Sequence, residues 1–579
     1  MDLLIKNGRV FDGSQAASDV CHIAVDKSQV VAIQKAPFDD QLFTRVIDAQ
    51  GLWVMPGFLD THTHYDAEVL AQPSLKESVR HGVTTVTIGS CSIGMALCDA
   101  EDSADLFTRV ESIPREYVLP LLQDIKQWQS PKEYVNFLSQ HSLGPNLTCF
   151  LGHSELRARV MGLGNAVNPD KIPDESQMRA MEQLLGEAMD AGMLGLSTMT
   201  TRWDKLDGDR YRSASLPSTY ARWKEFRRLN KVLRRRGRLH QGAPDIVTKW
   251  NMVLFLWESM GLMGKPLKTT LISMMDLKAN RLLVKPVAWL TKWVNKLFNA
   301  DFRWQALPNR FEVYADGIDL VIFEEFGSGE AALHLKDEVE RNELLQNQSY
   351  RRWFRKDYEN KWGPRVWQRN FYEATIINCP DTALEGKTFG ELADRQKLHP
   401  ADVFLDLVVK YGRQLRWHTV IANDRNSVLE HIVNHPSAVI SFADSGAHIR
   451  NMAFYNFPLR LLQLVYLSHQ RNQPVMSMEK AVWRLTGELA DWFGIDAGYV
   501  KTGKRADIVI IDPEKLNLPL DAYHEDTIPA FGDIERMVNR NDGLVKHVII
   551  NGKPVFDGKA FVEDFGESHH YGQFLKAKD

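Results

Sequence analysis

Short apolar runs alternate along this chain with longer stretches of helical periodicity, the pattern that parallel strands linked by helices produce. Eight runs read as strands: residues 53–59, 83–88, 147–151, 194–197, 238–240, 269–273, 418–422 and 438–442. They predict an α/β chain folded as a TIM-like (β/α)8 barrel, with its chemistry at the C-terminal ends of the strands. That rule singles out His62 and His64 after the first run, Cys91 after the second, His153 after the third, His240 at the fifth and Asp444 after the eighth. Residues 280–415 carry few strand signals and read as a helical insertion.

The two ends of the chain follow another pattern. Residues 5–13 and 549–558 each read as a hairpin around an Asn-Gly pair, Asn7-Gly8 and Asn551-Gly552, the strongest short-range hairpin signal. Residues 503–512 form a further candidate strand.

A chain of 579 residues suffices for a barrel and a smaller domain. Its 70 basic and 74 acidic side chains leave a net charge of −4, without the one-signed bias of a nucleic-acid binder, so nucleic acid is not an expected partner. Five cysteines, Cys21, Cys91, Cys98, Cys149 and Cys379, are odd in number and follow no framework spacing, which suits a reducing compartment. With no secretory pattern near Met1 and no run of about 18 apolar residues, the expected location is the cytoplasm.

His62-Thr63-His64 carries the most chemistry of any short segment. In extended backbone, residues i and i+2 point the same way, so both imidazoles can reach one ion. Neutral imidazole suits Zn²⁺ and its first-row neighbours. An isolated pair of this kind is more often two solvated histidines, but its context here is specific. Pro56-Gly57-Phe58-Leu59-Asp60-Thr61-His62-Thr63-His64 resembles the end of the first barrel strand in the amidohydrolase superfamily, and the likeness reaches both termini. That superfamily builds a small β-sandwich from its two ends. The resemblance therefore implies a composite domain of residues 1–55 with 500–560, a barrel over 56–499 with the insertion near 280–415, and a tail over 561–579.

Three further segments resemble one subgroup, the N-acyl-D-amino-acid deacylases. Ser90-Cys91-Ser92 stands where the subgroup carries Asn-Cys-Gly, with the thiolate as metal ligand; Cys98 lies outside this loop and reads as structural. Gly152-His153-Ser154-Glu155-Leu156-Arg157, followed by Val160-Met161-Gly162, resembles the subgroup's third-strand segment, and Ser441 to His448 resembles its Ser-Asp-x-Gly-x-His segment. The resemblance implies that Asp444 is both a metal ligand and the general base.

This chain also departs from the family. Members with two metals use a histidine after strand five and another after strand six. His240 is the candidate for the first, but the sixth run continues Ile272-Ser273-Met274-Met275-Asp276, so a second site would have to use Asp276 or be absent. Residues 194–199 offer no carbamylated lysine at strand four. The expectation is one Zn²⁺ held by His62, His64, Cys91 and Asp444, with His240 either an added ligand or a core histidine.

The implied reaction is metal-dependent hydrolysis of an amide C–N bond, chiefly deacylation of an N-acylated amino acid, D-configured by resemblance. A bound Zn²⁺ lowers the pKa of water and polarises the carbonyl, while Asp444 moves the proton. Arg157 suits a substrate carboxylate or, equally, an ion pair on a helix face. His153 or His448 would donate to the oxyanion, and Asp66 is a further site residue able to take the proton. A cyclic-amide or other C–N hydrolase, and a barrel that binds a small molecule without turning it over, are alternatives on the same scaffold.

Residues 285–298 place Val287, Leu290, Trp293, Val294, Leu297 and Phe298 at helical spacing, with lysines on the other side. The expected arrangement is a helix packed on the barrel with solvated lysines; a membrane-surface helix or a lid over an acyl group are alternatives. Residues 350–358 likewise read as a surface helix.

Overall fold

The computed structural model describes residues 1–245, 250–262, 264–362 and 365–578. Both ends of the chain build one eight-stranded sheet, in which Leu3–Val10, Asp19–Asp26, Gln29–Gln34, Arg45–Asp48 and Trp53–Pro56 join Ile508–Ile511, Val545–Ile550 and Lys553–Phe556. Trp53–Pro56 is the seam, parallel to Leu3–Val10 on one side and antiparallel to Ile508–Ile511 on the other. The edge strand Gln29–Gln34 bonds to the segment leading into Ile508–Ile511, where Val30 N–H donates to Lys504 O at 2.9 Å and Gly503 N–H to Val30 O at 2.8 Å. Ile5, Ile23, Val25, Val54, Ile508 and Ile549 pack together. Alternation gives each strand one apolar face, and the strands from both termini pair as one sheet.

Eight parallel strands follow in chain order: Phe58–Asp60, Val83–Ile88, Asn146–Cys149 continued by Leu151–Gly152, Gly195–Met199, Leu239–Ala243, Lys268–Ile272, Asp301–Gln305 and Ala438–Val439. The first three segments pair as one sheet, and Leu151–Gly152 through Ala438–Val439 pair in sequence order as another. The first and eighth strands meet just past their ends. There Thr63 bridges Ser445 in parallel, Asp444 N–H donates to His62 O at 3.2 Å and His64 N–H to Ser445 O at 2.8 Å.

The seventh strand corrects the sequence expectation: it is Asp301–Gln305, not residues 418–422. Asp301 and Arg303 make this strand look polar, yet both reach the helix Gly487–Phe493, where Trp492 Nε1 donates to Asp301 Oδ1 at 2.8 Å and Arg303 Nη1 to Glu488 Oε1 at 3.2 Å. Residues 418–422 lie instead in Arg416–Ala422, paired antiparallel with Phe311–Asp316 and Ala374–Asn378. Strand propensity reports a fit to a pleated surface, not which sheet supplies it. The excursion between the seventh and eighth strands is therefore mixed rather than helical. Its helices, among them Gln348–Glu359 and Pro400–Tyr411, pack with its sheet around Phe404, which touches Phe323, Phe354, Phe371 and Trp417.

The last residues return to the parallel strands, with Leu575 N–H donating to Leu147 O at 2.8 Å and Ala577 N–H to Gly192 O at 2.9 Å. Among the described residues no helix is long and apolar enough to cross a membrane.

Candidate metal centre and active site

His62 and His64 follow the first parallel strand, Cys91 the second and Asp444 the eighth, and the four side chains converge. His64 Nε2 lies 3.1 Å and His62 Nε2 3.5 Å from Asp444 Oδ1. Cys91 Sγ is 3.3 Å from His62 Nε2, and the ligand atoms of His62, His64 and Cys91 all fall within 4.8 Å of one another. Backbone strain accompanies this convergence. Cys91 (φ 52°), Ser92 (φ 72°) and Asp444 (φ 56°) occupy the left-handed region, at a cost of about 1 kcal/mol or more each for residues with a Cβ. Gly446 (φ 89°) approaches the histidine pair so closely that a Cβ would sit 2.8 Å from the His64 carbonyl. The Asp-x-Gly order thus follows from docking this loop against the His-x-His segment.

A second layer orients the imidazoles. His62 Nδ1 lies 2.5 Å from Gln305 Oε1 and 3.4 Å from Gln241 Nε2, and His64 Nδ1 lies 2.8 Å from Glu111 Oε1. Holding Nδ1 in this way turns Nε2 toward the shared centre, the usual role of outer partners of metal-binding histidines. Gln241 Oε1 also accepts the Cys91 N–H at 3.2 Å. None of these three partners is in the sequence-derived set. Alternation along strand five points to Gln241, which faces the opposite side from His240; Gln305 lies on the unrecognised seventh strand; Glu111 ends the helix Ala100–Glu111 and carries no local signal.

The electrostatics reflect this crowding. Burial raises the Cys91 thiol to about 12 against an opposing hydrogen bond with His64, and burial lowers His62 to about 4. For His64, burial is outweighed by the charge of Glu111 and the hydrogen bond with Asp444, so its pKa rises well above the usual imidazole value. Burial pushes Asp444 up, but the hydrogen bond and charge of His64 and the charge of His62 hold its carboxyl well below the ordinary range. Two imidazoles, a thiol and a carboxylate form a donor set suited to a zinc-class ion.

The remaining candidates lie elsewhere. His240 points away from this centre: its Nε2 is 3.0 Å from Thr198 Oγ1 and its ring packs against Phe226 and Phe255. His153 and Arg157 are buried and share Glu225, with His153 Nε2 2.7 Å from Oε1 and Arg157 Nη1 donating to Oε2. Neither borders the cavity over the metal centre, so Arg157 stands in an interior ion pair and not where a substrate carboxylate would bind. Asp276 is held by Arg425 and Arg281. Asp66 lies behind the centre, accepting from Gly89 N–H at 3.0 Å, its pKa raised by burial to about 7. His448 does border the cavity.

That cavity is about 210 Å³. His64, Cys91, Glu111, Asp204, Asp444 and His448 supply its polar side. The excursion between the seventh and eighth strands supplies much of the apolar side through Phe311, Val313, Ile322 and Ile421, joined by Ile272 and Met275 at the end of strand six. A chamber of about 200 Å³ lined by charged side chains, including Arg109, Lys205 and Arg450, adjoins it and shares Trp203, Asp204 and His448.

The chain is similar over all of its length to an uncharacterized protein of Mycobacterium tuberculosis, 47% identical over 580 residues that span 100% of this chain and 95% of that one. It is also similar to a D-aminoacylase of Alcaligenes xylosoxydans xylosoxydans, 33% identical over 202 residues, 34% of this chain and 37% of that enzyme. No protein-family model matches. Among solved structures, an N-acyl-D-glutamate deacylase of Bordetella bronchiseptica, complexed with zinc and a phosphonate mimic of the tetrahedral intermediate, superposes with a TM-score of 0.65 at 18% identity, covering 100% of both chains. A D-aminoacylase with a binuclear metal centre, described by one-metal activation and second-metal attenuation, superposes at 0.62 with 20% identity over 99% of each chain. This chain belongs to one family with the mycobacterial protein, and over about a third of its length it is similar to D-aminoacylase.

Proposed function

We propose that this protein is a metal-dependent amidohydrolase that cleaves the C–N bond of an N-acylated amino acid, with the D configuration suggested by the relatives. The carrying observation is the convergence of His62, His64, Cys91 and Asp444, of which His64, Cys91 and Asp444 line a cavity that is otherwise largely apolar. The (β/α)8 closure of the parallel strands, and the split into a composite terminal domain and a barrel, belong to the same reading.

His62, His64, Cys91 and Asp444 would hold one Zn²⁺, whose Lewis acidity serves amide hydrolysis at neutral pH. A single ion is favoured because Gln241 takes the inward position on strand five and Ile272, Ser273 and Met275 line the end of strand six, where thioether and hydroxyl are weak zinc donors. Asp444, beside the reacting carbonyl, would take the proton of the attacking water and return it to the leaving nitrogen. His448 and Asp204 would contact the polar end of the substrate toward the charged chamber, and the acyl group would lie against the apolar walls. The experiment is metal analysis of the purified protein together with hydrolysis of a panel of N-acyl-D- and N-acyl-L-amino acids. About one zinc per chain and turnover of some of the panel support the reading; a metal-loaded protein that hydrolyses none of them and no cyclic amide refutes it.

A further inference from the structure

The helix Val284–Leu297 carries three stripes. Val284, Ala288, Thr291 and Val294 face the protein, with Trp304 Nε1 donating to Thr291 Oγ1 at 2.9 Å. Lys285, Lys292 and Lys296 line one exposed flank. The other flank is apolar and open: Trp289 and Leu297 are each 61% exposed, and Leu290, Trp293 and Leu282 stand beside them. The packed arrangement expected for this helix therefore accounts for only part of its apolar residues. The preceding helix Trp250–Ser259 extends the patch with Trp257, 58% exposed, and its following turn is tied to the end of the first helix where Gly261 N–H donates to Phe298 O at 3.2 Å.

Charge and interior space complete the picture. Of the five basic side chains in residues 277–300, Lys278 and Arg281 pair with Glu373 and Asp424, while Lys285, Lys292 and Lys296 are exposed on the helix, which carries no acidic residue. Beneath the patch lies an apolar cavity of about 170 Å³, bordered by Met252, Leu283, Val284 and Val287 of these two helical segments. It shares Ile272, Met275 and Val366 with the cavity over the metal centre. A contiguous exposed patch with tryptophans and flanking lysines is the composition of an interfacial helix. A second copy of the chain would set lysines against lysines, whereas anionic headgroups meet them with opposite charge.

We propose that this face docks on an anionic lipid surface, and that the cavity beneath it receives the hydrocarbon chain of an amphiphilic substrate and leads it to the metal centre. Its use for an acyl substrate rests on the amidohydrolase reading; docking and chain binding do not. The whole chain is floated with phosphatidylcholine vesicles and with vesicles in which a quarter of the lipid is phosphatidylglycerol. It should bind the mixed vesicles. The Trp289→Ser/Trp293→Ser/Leu297→Ser variant, altered only at exposed positions and checked for an unchanged melting temperature, should bind them about tenfold or more weakly. Lys285→Gln/Lys292→Gln/Lys296→Gln should lose the preference for anionic lipid. A pyrene-labelled fatty acid should bind the wild-type protein and should bind Val287→Trp about tenfold more weakly, because the indole fills the cavity beneath the helix. Neither measurement needs turnover, so both stand apart from a failure of the hydrolytic reading. Docking is overturned by absence of binding to either vesicle, by equal binding of the serine variant, or by a concentration-dependent dimer that the serine variant disperses. Chain entry is overturned if the fatty acid fails to bind or ignores Val287→Trp.

Discussion

Two clusters of buried imidazoles and charges lie within the parallel-strand region, and they behave as opposites. His62, His64, Cys91 and Asp444 converge on a common point, and all but His62 border a cavity. His153, Arg157 and Glu225 close on one another, with His240 packed nearby through Phe226. Residue type does not separate them, since both contain histidines at or just after parallel strands. The side of the strand does. Gln241 and His240 are chain neighbours, yet Gln241 hydrogen-bonds the Cys91 loop while His240 meets the layer of helices, because successive side chains alternate across a strand.

The contrast can be broken experimentally, beginning with the largest effect. Asp444→Asn should lower kcat by about 10²–10⁴-fold, the range of a lost general acid/base, with zinc content measured alongside; near-normal turnover with metal retained would remove Asp444 from the proton-moving role. Arg157→Ala should instead act on stability, costing about 3–5 kcal/mol because buried Glu225 loses its guanidinium partner and keeps only its contact with His153. Denaturant unfolding measures this, and a variant of unchanged stability with a raised KM would move Arg157 back to the substrate. Glu111→Gln should weaken zinc binding by about 10–100-fold through the orientation of His64, read by competition with a chelator. Last, His240→Phe should keep its zinc and shift stability by less than about 1.5 kcal/mol, as expected of a near volume-conserving core change; loss of the metal would reinstate His240 as a ligand.

Some of this was legible in the chain. The His-x-His pair, the cysteine loop and the Asp-x-Gly segment each combine a ligand type with a local constraint. Extended backbone places His62 and His64 on one side, and Gly446 leaves the space that lets Asp444 approach them. Asn551-Gly552 marked a true hairpin, the turn between Val545–Ile550 and Lys553–Phe556. Asn7-Gly8, expected as a turn, lies instead within the strand Leu3–Val10 at a bulge opposite Asp19–Asp26; the positive φ of Asn7 and Asn551 serves a bulge in one case and a turn in the other. The seventh strand was not legible. Asp301 and Arg303 give Asp301–Gln305 a polar appearance, and only their partners on the helix Gly487–Phe493 explain why they tolerate that place.

By itself, then, the sequence determined the candidate ligands and the local backbone that presents them, because both depend on residues a few positions apart. The tertiary structure alone decided which histidines converge, that Glu111, Gln241 and Gln305 lie against their Nδ1 atoms and the Cys91 loop, and that Arg157 is an interior partner of Glu225. It also left the outer stripe of Val284–Leu297 uncovered while burying its opposite face. Those outcomes rest on pairings between segments up to hundreds of residues apart, which periodicity and spacing do not encode.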